Sequence, residues 1–319
     1  MAFAPGPAHR MGHVGHLLFQ SAVCWIASRV GNLLCHTRNM AALAVARSTR
    51  IRNLLRALFW SGRLVGIHFS LSRSTVASGS RVMARATIDG GRVHITGVRN
   101  FEYPSLNDFT ARYEDREVQL SHLIGLDFFV SYWSEGLVAH TFVSFIFDNA
   151  PPLSISIGTR PEVGEVFNPV ASLFKQFELI YVVGDERDLV GVRTNYRKET
   201  VYLYRLNSPP DSVRRLLMVY LKRINELADR PEFYHLLSNS CTINIIRYAN
   251  AAGRAGRFDI RHLLNGLIDS YLYHSGRVDT TLPFDELRRR SRINEAAQAA
   301  DDAPDFSERI RASLPITNR

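Results

Sequence analysis

Val138-Ala139-His140-Thr141-Phe142-Val143-Ser144-Phe145-Ile146-Phe147 carries large apolar side chains at both odd and even positions. A strand sends successive side chains to opposite faces, so a stretch that is apolar on both reads as a central strand buried on both sides. The turn-forming Asn149-Ala150-Pro151-Pro152 follows, and residues 153–159 then read as a second strand folded back on the first. Working outward, residues 127–133 are a strand candidate before this pair, and 178–183, 189–193 and 200–206 are three more after it. Upstream, residues 84–88 and 92–96 flank Asp89-Gly90-Gly91 as a β-hairpin.

The period changes after residue 207. Ser208 before Pro209 marks a helix start, and residues 211–228 carry Val213, Leu216, Leu217, Tyr220, Leu221, Ile224 and Leu227 at helical spacing. Pro231 opens a short helix to residue 237. Residues 241–252 form another, closed by Gly253; 260–274, closed by Gly276, and 284–300 complete the set. Strands first and helices after predict an α+β fold, an antiparallel sheet packed with helices.

Composition divides the chain at about residue 80. Of 39 basic residues, 11 are arginines lying before Asp89, where there is no acidic residue; the remaining 28 face 30 acidic ones, so the body is slightly acidic. A domain that grips phosphate backbones keeps its basic surplus on its folded part, so no nucleic-acid partner is expected. Residues 1–80 read as an Arg-rich apolar segment, with apolar stretches at 17–35 and 40–69 that arginines interrupt. Neither supplies the ~20 consecutive apolar residues of a membrane-spanning helix. At helical period Leu43, Ile51, Leu54, Leu55, Leu58 and Phe59 share one side with arginines opposite, which fits a helix lying on an anionic membrane surface. A targeting segment and a misassigned start codon fit the same composition, and a disordered tail is the plain alternative. Residues 82–319 are expected to form the folded domain.

Three cysteines occur: Cys24, Cys35 and Cys241. That is too few for a disulfide framework or a cysteine zinc site. His13 and His16 lack further ligands at suitable spacing, so no metal and no cofactor is expected. Cys241 follows Ser238-Asn239-Ser240 and precedes an apolar periodic run, which sets it at a helix N-terminus. Free backbone N–H groups there stabilise a thiolate and can hold an oxyanion. The bland alternative, a small buried apolar residue, describes most lone cysteines.

A thiol nucleophile needs a base. Among the body's histidines only His140 lies in a strongly apolar strand, where an imidazole needs a partner; a core histidine bonded to a carbonyl is the alternative. His235, on a short surface-like helix, ranks second. Ser154, Ser156 and Gly158 share one face of the next strand, so Ser156 is the candidate to orient His140, against two ordinary strand serines. Tyr132, Trp133 and Arg197 are the expected substrate contacts. Asp185, Glu186, Arg187, Arg193, Tyr196 and Arg197 read mainly as an ion-pair network, with Arg197 the contact for a lipid phosphate should the cluster bind one.

Val98-Arg99-Asn100-Phe101, Asp127-Phe128-Phe129-Val130-Ser131-Tyr132-Trp133, Ala139-His140-Thr141, Arg193-Thr194-Asn195-Tyr196-Arg197, Val201-Tyr202-Leu203-Tyr204-Arg205 and Arg230-Pro231-Glu232-Phe233-Tyr234 stand in an order that resembles the Lnb N-terminal periplasmic domain family. The similarity runs from about residue 84 to residue 315. It implies a bacterial domain with a permuted NlpC/papain-like arrangement, the histidine strand before the cysteine helix, an order shared with lecithin:retinol acyltransferase. It also implies an association with lipoprotein N-acylation and a place on the periplasmic side of the inner membrane. By matching position, His140 and Cys241 carry the family's histidine and cysteine. Two departures stand out. Ser240 replaces an asparagine usual before the cysteine, and Gly158 replaces a glutamate usual in the strand after the histidine. Ser156, Glu162 or Glu165 would have to substitute for that glutamate, or activity is weak or lost.

These readings lead to an envelope thiol enzyme that transfers an acyl group through a Cys241 thioester, with a membrane lipid or lipoprotein as partner. A cysteine amidase acting on cell-wall peptide and a catalytically inactive envelope scaffold are the alternatives.

Overall fold

The computed structural model describes residues 80–105, 108–134, 136–160, 172, 177–253 and 256–315. The readings of the N-terminal segment therefore lie outside the described residues, as do Glu162 and Glu165. Eight strands form one sheet: β1 (Arg85–Asp89), β2 (Arg92–Arg99), β3 (Tyr113–Gln119), β4 (Leu123–Tyr132), β5 (His140–Phe147), β6 (Leu153–Arg160), β7 (Glu178–Asp185) and β8 (Thr200–Arg205). Their order is β1-β2-β7-β6-β5-β4-β8, with β3 paired to β2. Every pair is antiparallel except β2–β7, which meet in parallel at Arg99 and Gly184. The expected β1–β2 hairpin forms, with Asp89 opposite Arg92 across Gly90-Gly91, both at positive φ. β5 and β6 fold back on each other as their sequence predicts.

The helices are α1 (Glu186–Gly191), which continues into a π-helical turn at Val192–Tyr196, then α2 (Pro210–Asp229), α3 (Cys241–Ala251), α4 (Ile268–His274), α5 (Phe284–Ser291), α6 (Asn294–Ala300) and α7 (Phe306–Arg309). The α+β expectation holds. Both faces of the central strands are covered, which explains their doubly apolar sequence. On one face Phe128, Val130, Val143, Phe145, Ile155 and Tyr181 pack beneath α2, α3 and α4. On the other, Phe129, Phe142, Val201 and Leu203 pack beneath Val190, Ile293, Ala297, Phe306 and Ile310, with the Phe129 and Phe142 rings stacked at 4.5 Å.

Several expected elements differ, each for a tertiary reason. Residues 189–193 are helical, because the Asp185 side chain accepts from Arg187 N at 2.9 Å and starts a helix there. Residues 231–237 are not a helix: Leu179 N donates to Glu232 O and Tyr234 N to Phe177 O, so the chain runs extended beside β7. The helix expected over 260–274 is broken into two 3-10 turns and α4. It breaks where Gly266 N donates to Leu137 O at 2.9 Å. A Cβ at Gly266 would lie 2.4 Å from Gly136 O, so only glycine permits this approach. The helix expected over 284–300 is split because Ile293 N donates to Val201 O and the Asn294 side chain bonds the backbone of β8. β3, with only Val118 buried, and α7 were not foreseen.

The C-terminal segment is locked to the sheet by charge. Arg311 donates to Asp127 Oδ2 at 2.9 Å and to both oxygens of Glu186 at 2.6 Å, and Arg205 also bonds Asp127. Burial pushes the Glu186 carboxyl up, but the Arg311 guanidinium, with the Ser307 and Ser144 hydroxyls, outweighs it and holds the group below the usual range. Arg311→Ala would leave two carboxylates buried with too few partners, so a loss of about 3 kcal/mol is expected from the denaturant midpoint. Because the folded pKa of Glu186 is lowered, its contribution is full above the ordinary carboxylate range and drains as the pH falls through the folded value. Acid unfolding below about pH 4 should therefore lose much of its Glu186 component in the Arg311→Ala protein.

Candidate functional site

Cys241 is the first residue of α3, as its sequence context predicts, and Ser240 is the N-cap with no side-chain capping bond. The thiol is nearly sealed, with 3% of the residue exposed. Its polar contacts among the described residues are Thr242 Oγ1 and Asn265 Nδ2, each 3.8 Å from Sγ, and the buried Tyr234 phenol lies beside it. Asn265 fixes this corner. Its Nδ2 donates to Ala139 O at 2.7 Å and to Thr242 Oγ1 at 2.9 Å, while Ala139 N donates to its Oδ1 at 2.9 Å. Thr141 Oγ1 meets Thr242 Oγ1 at 2.9 Å, so α3 sits on the face that carries Ala139, Thr141 and Val143.

His140 lies between Ala139 and Thr141 and therefore points to the other face. There its ring stacks on Phe142 with centroids 6.0 Å apart, and its Nε2 meets Ser156 Oγ at 2.8 Å. The expected His140–Ser156 pairing thus forms, on the basis of the β5–β6 register that sets Phe142 opposite Ser156. The structure does not bring Cys241 to His140: the sheet lies between them. His235 is in the extended segment before α3, and its Nδ1 bonds Ser238 Oγ at 2.7 Å.

The face that carries His140 also collects charge. Arg193 and Arg197 come from the π-helical turn and the residue after it, and Glu199 precedes β8. Between them Lys198 adopts a left-handed conformation, φ 56°, rare for a residue with a side chain. Arg197 N then donates to Val192 O and Glu199 N to Arg193 O, both at 2.9 Å, which fixes the directions of these side chains. Arg193 Nη1 donates to Glu199 Oε2 at 3.1 Å and Ser131 Oγ donates to the same carboxylate. Arg197 is half exposed and reaches Glu199 Oε1 only at 3.8 Å. Burial, then the charges of Arg193 and Arg197, hold the His140 imidazole well below its usual pKa, so it is neutral at physiological pH. Arg197 is itself pulled below the ordinary guanidinium value, by burial first and then by Arg193.

Of the expected substrate contacts, Arg197 belongs to this polar face. Tyr132 does not: it is buried on the cysteine side and donates its hydroxyl to Gly266 O at 2.7 Å. Trp133 is partly exposed just beyond the end of β4. The residues expected to form one ion-pair network are ion-paired, but to partners outside that cluster: Asp185 with Arg116, Glu186 with Arg311, Arg187 with Asp302, and Arg193 with Glu199. Sequence reasoning missed Asn265, Thr242, Glu199 and Ser131. Asn265-Gly266 inside an otherwise helical pattern was the one local signal available for any of them.

Residues 109–266 match the family model described as the Lnb N-terminal periplasmic domain, the family that the sequence resembles. The matched stretch runs from just before β3 to Gly266 and contains His140, Ser156, Gly158, Arg197 and Cys241. No curated protein and no solved structure matches the chain.

Asn265→Ala would remove the partners of both Ala139 backbone groups and of Thr242. The expected result is a loss of about 2–4 kcal/mol, since buried polar groups are left unpaired. Alkylation of Cys241 by iodoacetamide should accelerate at the same time, read by intact mass.

Proposed function

We propose that this Lnb N-terminal periplasmic domain serves the bacterial envelope as a binding domain in which Cys241 is structural. The observation that carries the reading is that His140 points from one face of the sheet while Cys241, on α3, lies over the other. Proton transfer between a thiol and its base requires contact at roughly 3 Å or through one water. Gly158, where the resemblance calls for glutamate, also leaves His140 without a carboxylate from its own neighbouring strand. The family's description favours a periplasmic location. Among the described residues no helix is long and apolar enough to cross a membrane. The Arg-rich composition of residues 1–80 supports association with the anionic face of the inner membrane.

One observation favours a second reading, acyl transfer. Cys241 opens a helix whose cap side chain makes no bond, a position where first-turn amides favour a thiolate or an oxyanion, although the Tyr234 phenol already engages the Cys241 backbone. In that reaction the thiolate attacks an acyl ester, the C–S bond forms as the C–O bond breaks, and the alcohol leaves with the proton that the base carries. An amine or water then takes the acyl group and restores the thiol. With His140 as base, this route requires the imidazole to change faces, which would break the pairing of β5 with its neighbours.

The two readings separate in one measurement. The full chain with Cys24→Ser and Cys35→Ser, leaving Cys241 as its only thiol, is incubated with bacterial phospholipid, and its intact mass is taken before and after hydroxylamine. The binding reading expects no acyl adduct and slow alkylation of Cys241. A hydroxylamine-sensitive adduct that disappears in His140→Ala would replace it with the thioester enzyme.

A further inference from the structure

Among the described residues, the face opposite Cys241 has more positive charge than its carboxylates neutralise. Arg99, Arg193 and Arg197 lie close enough to influence one another there, and the carboxylates among them are Asp188 and Glu199. Asp188 is already saturated: it takes Arg99 through both oxygens at 2.8 and 2.9 Å, Phe101 N at 2.8 Å and Tyr103 Oη at 3.1 Å. Glu199 is engaged by Arg193 and Ser131. Among the described residues one guanidinium charge is left over, and it is carried by the half-exposed Arg197, whose contact with Glu199 is long. The Nε of Arg193 is buried without a hydrogen-bond partner among the described residues.

Beside this surplus there is room. Continuing the β5–β6 register beyond Phe142 and Ser156 sets Gly158 across from His140, on the same face. A Cβ added at Gly158 would meet nothing within 4 Å among the described residues. The hydroxyl of Ser156 and the neutral ring of His140 are hydrogen-bonded to each other at the edge of this space. When the imidazole donates to Ser156 Oγ, the serine proton is free to point into it.

We propose that the space over Gly158 is an anion site that receives a phosphate group, with Arg197 as its charged contact and Ser156, oriented by His140, as a hydroxyl donor. Donors of different shape converging from a strand and a turn suit a tetrahedral oxyanion, whose oxygens point in several directions, better than a flat carboxylate. The phosphate belongs either to a glycerophospholipid headgroup, a diester, or to a free phosphate. The site goes beyond the binding-domain reading and does not involve Cys241, so it stands or falls apart from any thiol chemistry.

The test is thermal unfolding of the full chain against inorganic phosphate, against dihexanoyl phosphatidylglycerol below its micelle concentration, and against acetate, all at matched ionic strength. At saturating phosphate group the wild type should gain about 5 °C. Arg197→Gln should weaken binding at least about tenfold, the loss of one charge-assisted contact. Gly158→Glu places a carboxylate in the space itself; it should melt higher than wild type without ligand and lose the phosphate response. Stronger binding of the diester identifies a lipid headgroup, and stronger binding of inorganic phosphate a soluble one; either supports the site provided Arg197→Gln weakens it. Absence of a response, an equal response in Arg197→Gln, or acetate binding as well as phosphate would overturn the proposal. Should Gly158→Glu fail to fold, Arg197→Gln, altered at a half-exposed position, still decides it.

Discussion

In β5 every residue turns its side chain to the face opposite its neighbours', and both faces of the strand are buried. The remainder of the molecule is arranged around that alternation. Thr141, Val143 and Phe145 are committed to the helices α2 and α3, while His140, Phe142 and Ser144 are committed to the layer that holds α1, α6 and α7. A slip of one residue would exchange the two sets, setting Phe142 under α3 and Thr141 against the Arg193 guanidinium. Pairing on both sides of the strand fixes the register against this: Phe129 with Phe142, Ser131 with His140, Ser144 with Ser154. The distance between the cysteine and the histidine is therefore a property of the whole sheet, one that no side-chain rotation can change.

The same sheet carries buried charge, and that charge gives the second layer its position. Asp127 and Glu186 are each almost fully buried, and Arg311, far along the chain, serves both. Exchange for well-packed apolar residues would be close to neutral in stability, since desolvation opposes the attraction. What the triad provides is an unambiguous seat: an apolar C-terminal segment could settle on the sheet in more than one way, whereas Arg311 has one pair of carboxylates to meet. Asp188 acts in the same way on Arg99, Phe101 and Tyr103, holding the chain between β2 and β3 against α1.

How much of this was legible depends on how local the cause is. The strands 127–133, 138–147 and 153–159 and the helix at Cys241 follow from period and turn chemistry, and the pairing of Ser156 with His140 follows from the period of two. The run Leu189-Val190-Gly191-Val192-Arg193 looks like a strand on composition, yet a cap from Asp185 makes it helical. Residues 113–119 look too polar for a strand, because β3 needs only Val118 inside. That His140 faces away from Thr141 was also legible. Which face α3 would cover was not, for that is decided by Thr141 with Thr242 and Ala139 with Asn265, contacts between residues more than 100 positions apart.

The surroundings of the thiol bear on what it can do. An oxyanion site needs donors that are uncommitted in the resting protein and aimed at the place where charge develops. Asn265 stands near the sulfur, but its amide has two hydrogens, and Ala139 O at 2.7 Å and Thr242 Oγ1 at 2.9 Å account for both. The 3.8 Å contact to Sγ is what is left over. On the opposite face, among the described residues, the balance is reversed: Arg197 has a half-exposed guanidinium with one long ion pair, Arg193 has an unused N–H, and Gly158 leaves space where a side chain could have been. Polar capacity that is already consumed holds a fold together, and polar capacity in excess, next to open volume, is what a ligand can use. By that criterion the polar capacity of the thiol corner is consumed by the architecture, and the proposed phosphate site across the sheet is the place with capacity to spare.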